Sequence, residues 1–208
     1  MTDAHDWLPD LSELASRPGP FVFPWPMPSN PGAIVSFADT SRWRDFVLSL
    51  SVQPTLPEIV RHKFYRAQKL YYLGWLDVDL IKAGEVVALA ALELGLKDRY
   101  LSDVLASYRA GGKKPPKKIM LHELLVHMVE KDGLTNEKLP IYRRTGGNPV
   151  ARILGEAKPS LAEIRNALAH GDPFDGLPQS GLLELVRDLV DYAYRGWIEE
   201  HARATGAA

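Results

Sequence analysis

From residue 55 onward, apolar and polar positions recur with helical spacing, and caps and breakers divide them into segments. Thr55-Leu-Pro-Glu58 reads as a capping box with proline in the first turn, and predicts a helix to about Trp75. Asp77 is placed to cap a second helix that carries Leu80, Val86, Val87, Leu89, Leu92, Leu94 and Leu96. That helix is apolar on most sides, so it is expected at the centre. Leu101, Val104, Leu105 and Tyr108 predict a shorter helix stopped by Gly111-Gly112, and Ile119 to Val129 predicts the next. Pro159-Ser160 opens a further helix that Gly171 ends. Ser180 is the expected cap of a last one, through Leu182, Leu185, Val186, Leu189, Val190, Ala193 and Trp197. No set of alternating strands and no internal repeat follows residue 55.

The first quarter follows another rule. Seven of the 16 prolines fall between Pro9 and Pro31. Pro20-Phe-Val-Phe-Pro-Trp-Pro-Met-Pro28 cannot be helical, because proline lacks a donor and restricts the residue before it. Extended or polyproline-like backbone is expected, with Phe21, Phe23 and Trp25 seeking burial against the core or against a second subunit. Ala33 to Phe37 fits one short strand. Trp43, Phe46, Val47 and Leu50 fit a short helix. The expected architecture is an all-α bundle, residues 55–208, with an irregular proline-rich N-terminal arm, residues 1–54.

Composition narrows the function. Hydrophobic residues are 46% and charged residues 25% of the 208, an ordinary globular balance. The net charge of −1 excludes a uniformly basic nucleic-acid binder but leaves room for local patches. With no cysteine, disulfides, thiol nucleophiles and cysteine-ligated metals are excluded. The longest apolar run, Val86 to Leu92, is too short for a membrane span. The acidic start MTDAHDW lacks an apolar leader core, so a soluble, cytoplasmic protein is expected. Positive charge gathers in two connectors: Arg109 to Lys118, with Lys113, Lys114, Lys117 and Lys118, and Lys138 to Lys158, with Arg143, Arg144 and Arg152. They are candidate contacts to an RNA phosphate backbone, although solvated connectors carry such charge as well.

The segment with most chemistry is Pro159-Ser-Leu-Ala-Glu-Ile-Arg-Asn-Ala-Leu-Ala-His170-Gly. Ser160 and Glu163 have capping-box spacing. Leu161, Ile164 and Leu168 make a core-facing stripe, while Asn166 and His170, four apart, share another face. Arg165 sits at the edge between them. A guanidinium, an amide and an imidazole over a floor of small alanines suit metal-free RNA cleavage: imidazole moves protons near neutral pH, and guanidinium matches the fork of phosphate oxygens. The same residues also have plain structural uses, His170 as a C-terminal cap and Arg165 as the partner of a buried acid. Glu93 on the central helix is the candidate for that acid, or else an exposed helix glutamate. One imidazole seldom supplies both acid and base; a two-fold dimer supplies two.

Arg165-Asn166-Ala-Leu-Ala-His170 resembles the signature of the HEPN superfamily. Tyr72-Leu-Gly-Trp75 and Ala91-Leu-Glu-Leu-Gly-Leu-Lys-Asp-Arg99 are similar to early helices of HEPN-like proteins, so that the resemblance covers roughly residues 55–202. It implies a HEPN-like helical bundle and a homodimeric, metal-independent endoribonuclease without cofactor. Such proteins are often toxins or anti-phage effectors with a separately encoded antitoxin or sensor. Catalysis would map onto Arg165, Asn166 and His170. The superfamily also implies the alternative, an inactive HEPN-like domain that binds RNA, nucleotide or a partner protein. Other motifs are weaker. His122 and His127 lie five apart, about 140° around a helix, and do not share a metal as an i, i+4 pair does. The prolines in Gly111-Gly-Lys-Lys-Pro-Pro-Lys-Lys118 remove donors that a phosphate cradle needs. Arg143-Arg-Thr-Gly-Gly-Asn148 reads as an RNA-contacting loop or a simple connector.

Overall fold

A computed structural model describes residues 16, 18–170 and 177–204. Within the proline-rich segment, Phe21–Pro24 (β1) pairs antiparallel with Ile34–Phe37 (β2), with Phe21 opposite Phe37 and Phe23 opposite Val35. The expected single strand therefore has a partner. Proline is compatible with this because both strands of a two-stranded sheet are edges, and Pro24 closes β1. Strand alternation turns Phe21 and Phe23 inward and leaves Val22 exposed. The helix Thr40–Ser49 (α1) follows, its Asp39 cap accepting from the Arg42 amide at 2.9 Å. Its Trp43 meets Phe21 edge-on at 4.8 Å and Phe37 at 4.9 Å between ring centroids. The Trp43 indole donates to the Tyr71 and Tyr72 carbonyls at 3.2 and 3.0 Å. Phe21, Phe23, Trp25 and Trp43 join the same hydrophobic core as the helices beyond residue 55.

Glu58–Leu73 (α2) and Asp79–Ala110 (α3) form a helical hairpin joined by five residues. Tyr71 lies across from Gly84 and Val60 across from Gly95; a side chain at Gly84 would meet the Tyr71 ring at 2.7 Å. Close approach at this glycine locks the antiparallel register. Around α3 pack Leu121–Glu130 (α4), Leu161–His170 (α7) and Leu182–Ala193 (α8), and Arg195–Ala204 (α9) closes the described chain. Between α4 and α7 run a 3-10 turn, Asn136–Lys138, and two six-residue helices, Pro140–Thr145 (α5) and Pro149–Leu154 (α6). The molecule is mostly helical, as expected, and no described helix is long and apolar enough to cross a membrane.

Several boundaries differ from the sequence expectations; Val78, not Asp77, takes the cap position of α3. The segment around Leu101 to Tyr108 is not a separate helix; α3 runs on for 32 residues, because Lys97-Asp98-Arg99-Tyr100 contains no breaker. Thr55 and Glu58 form no capping box: Pro57 takes the cap position, so Glu58 enters the helix too early to reach back. Gly181, not Ser180, caps α8 with a φ of 74°, in the left-handed region, where a side chain would also meet Pro26 at 2.8 Å. The last helix divides at Tyr194, which is fully buried and donates its hydroxyl to Asp98 at 2.6 Å. The expected stop at Gly171 lies outside the described residues.

Candidate active site on the late helix

Helix α7 is built by local signals. Ser160 Oγ accepts from the Glu163 amide at 3.2 Å, and Glu163 accepts from the Ser160 amide at 2.8 Å, so the capping box closes from both sides. Hydrogen bonding from Lys158, then from Ser160, holds the Glu163 carboxyl down to about 2. Leu161 and Ile164 are buried and Leu168 packs on the core, which fixes the rotation of the helix. That rotation leaves Asn166 and His170 exposed on the opposite face, with Arg165 half-buried at its margin.

Arg165 is held from below. Its Nη2 donates to Glu93 Oε2 at 2.9 Å, and its Nη1 to Asn166 Oδ1 at 3.3 Å. Glu93 is a buried residue of α3, and its other oxygen accepts from Lys97 Nζ at 2.5 Å. Burial pushes the Glu93 carboxyl up, but the Lys97 and Arg165 hydrogen bonds and charges outweigh it and hold it below the ordinary glutamate range. The carboxylate thus orients the guanidinium, and the guanidinium keeps the neighbouring amide in place. His170 occupies the last turn of the helix.

The chain ends that flank α7 are tied together. Arg152 Nε donates to the Pro159 carbonyl at 3.1 Å and its Nη2 to Gln179 Oε1 at 2.9 Å. The Gln179 amide in turn donates to Glu85, buried on α3. Glu85 lies eight residues before Glu93, about 12 Å along the helix axis. Both Arg165 and the chain returning after His170 are therefore anchored on one stretch of α3.

The basic residues proposed for RNA contact are not gathered here. Arg152 is the tie just described. Arg144 is committed to Glu184 and to the Pro26 carbonyl, at 2.6 Å from the latter. Both guanidiniums are engaged in bonds within the chain. Arg143 is exposed at the end of α5 and borders a separate cavity with Lys138 and Arg187. Lys113, Lys114, Lys117 and Lys118 are exposed beyond the end of α3. Gly111 lies 18 residues past Glu93, about 27 Å along the axis, so that connector stands away from the Arg165 contact.

Sequence reasoning missed a groove beside Glu93. Its volume is ≈ 840 Å³, and it runs between α2 and α3, lined by His62, Lys63, Arg66, Glu93, Leu94 and Lys97 among others. The signal was present in the spacing: Glu58, His62 and Arg66 recur at i, i+4, i+8 on the exposed face of α2. His122 and His127 both border another cavity, with Glu123 between them, but Glu123 bonds to the Tyr108 hydroxyl at 2.7 Å and to the Met120 amide. Among the described residues, no group of three His, Asp or Glu side chains is placed to hold a metal ion.

The chain matches no protein-family model, no curated protein and no solved structure. The functional reading rests on the residues of α7 and their surroundings.

Proposed function

We propose that this chain is a HEPN-type, metal-independent endoribonuclease that acts as a homodimer, as a toxin or anti-phage effector. The observation that carries the reading is the Arg165–Asn166–His170 face of α7. There an exposed imidazole and amide share one face of the helix, and a guanidinium oriented by a buried carboxylate stands at the margin of that face. In the proposed reaction the 2′-hydroxyl attacks the adjacent phosphorus and loses its proton to a base, while the 5′-oxygen leaves and takes a proton from an acid. The products are a cyclic phosphate and a free 5′-hydroxyl. His170 performs proton transfer. Arg165 neutralises charge building on the phosphorane oxygens, and Asn166 positions the phosphate. A two-fold dimer brings a second His170 to the same cleft, so that one imidazole serves as base and the other as acid.

The chemistry is tested with an oligoribonucleotide carrying a single 2′-deoxy sugar at the cleaved position. The reading predicts that this linkage survives while its all-ribose counterpart is cut; cutting of both would rule out 2′-hydroxyl attack. One observation favours a second reading. The Glu93 carboxylate offsets part of the Arg165 charge, which suits a HEPN-like module that binds RNA, nucleotide or a partner protein without cleaving it. Binding of RNA by the folded dimer with no cleavage on any RNA tested supports that alternative.

A further inference from the structure

We infer that the groove between α2 and α3 seats the single-stranded RNA that the α7 site acts upon, its cations holding the phosphodiester backbone. The RNA occupant rests on the function proposed above; the groove and its charge are independent of it. Four observations place the strand here rather than on the basic connectors.

The groove is long enough to follow a backbone. Glu58 to Arg66 on α2 extends about 12 Å along the helix axis, and the antiparallel register sets this stretch across from Ala90 to Lys97 on α3. Its charge is complementary to phosphate. Lys63, Arg66 and Lys97 line it, and Arg165 stands next to it, against the carboxylates Glu58 and Glu93. The acids are already answered: Glu93 by Lys97 and Arg165, and Glu58 by His62 at 3.6 Å, an ion pair when the imidazole is protonated. Lys63, half-buried, and Arg66, exposed, make no ion pair with an acid among the described residues. Finally, Glu93 belongs to both places. It lines the groove and holds Arg165, so a phosphate lying over Lys97 is delivered to the guanidinium that bonds to Asn166. Ile59 and Leu94 add apolar walls on which a base can rest.

The test measures binding of a labelled single-stranded oligoribonucleotide by fluorescence anisotropy, with full-length His170→Ala protein so that cleavage does not intervene. Lys63→Glu with Arg66→Glu is expected to weaken binding about tenfold or more. It should also lower the slope of log affinity against log salt by about 1.4, from about 0.7 per lost phosphate contact. Lys63→Gln with Arg66→Gln, which leaves no new charge, is expected to move both quantities in the same direction by less. The comparison variant Lys113→Gln with Lys117→Gln is expected to stay within about twofold of the parent. Circular dichroism checks that each variant is folded. Unchanged affinity in the folded groove variants overturns the proposal, as does absence of RNA binding by the parent. A groove variant that turns a dimer into a monomer in sedimentation also overturns it, because a second copy would then be the occupant. The two readings fail separately. If wild-type protein cuts RNA while the groove variants bind and cut normally, only the groove assignment falls. If no RNA is cut but the groove variants lose binding, the groove stands and the catalytic reading falls.

Discussion

Glu93 meets two cations at once, Lys97 one turn along its own helix and Arg165 from α7, 72 residues away. The side chains of Arg165 and Glu93 are 25% and 11% exposed, between a surface pair of little worth and a fully buried one. Removing the carboxylate leaves two cations facing each other. Glu93→Gln is therefore expected to cost about 1–2 kcal/mol at neutral pH in urea unfolding. Because the folded carboxyl is held below its unfolded value, this stability is present above the unfolded pKa and lost as pH falls through the folded one. The gap between wild type and variant should close on acidification; a gap that persists at low pH would contradict the ion-pair account. Asp191 has the opposite sign. Burial pushes its carboxyl up to about 6, even though it accepts from the Gln53 amide at 3.1 Å. Its ionisation in the folded state works against stability, so stability is lost as pH rises from about 4 through 6. Asp191→Asn should raise the melting temperature at pH 7 and leave it nearly unchanged at pH 4, and equal shifts at both would refute the assignment. Arg165→Lys keeps the charge and loses the fork, and should lower cleavage by about 100-fold with the fold retained.

At the scale of elements, what the sequence disclosed depended on range. Apolar spacing sustained over several turns makes α2, α4, α7 and α8 legible in the sequence alone, apart from their ends, while α3 is legible as helix but read as two pieces. The Ser160–Glu163 box is legible because its partners are three residues apart. Six residues make fewer than two turns, so α5 and α6 leave no periodic trace, and their proline starts read as connector signals. The Phe21–Pro24 pairing was hidden by prolines that argue against a strand except at an edge. For the site, the face carrying Asn166 and His170 follows from helical spacing alone. Whether Glu93 was a buried orienting acid or an exposed one was undecidable, since that depends on how α7 docks on α3. The duties of Arg144 and Arg152 were illegible for the same reason: their partners, Glu184 and Gln179, are 40 and 27 residues away. The aromatic hairpin is a structural part of the bundle, with Trp43 fully buried. Trp43→Ala is expected to cost about 3–5 kcal/mol and to lower the whole chain's unfolding midpoint in one transition. Separate melting of the N-terminal quarter would show instead that it is an appendage.

Across the whole molecule, a net charge of −1 hides a division of labour. Acids of α8 are drawn inward, with Glu184 and Asp188 buried against Arg144 and Arg187, while uncommitted cations remain on the α2 groove and on the Lys113–Lys118 connector. The buried carboxylates Glu85 and Glu93 on the central helix hold the returning chain and the α7 guanidinium respectively. The core thus carries Arg165 next to the groove lined by Lys63, Arg66 and Lys97, with His170 exposed at the end of α7, and the proposed binding and cleavage of RNA rest on that arrangement. The most direct measurement is cleavage of RNA by purified protein in EDTA, wild type beside His170→Ala, with fold and oligomeric state checked in both. The account predicts cleavage that survives EDTA in the wild type and disappears in the variant. Full activity in His170→Ala, or activity that EDTA abolishes, would contradict it.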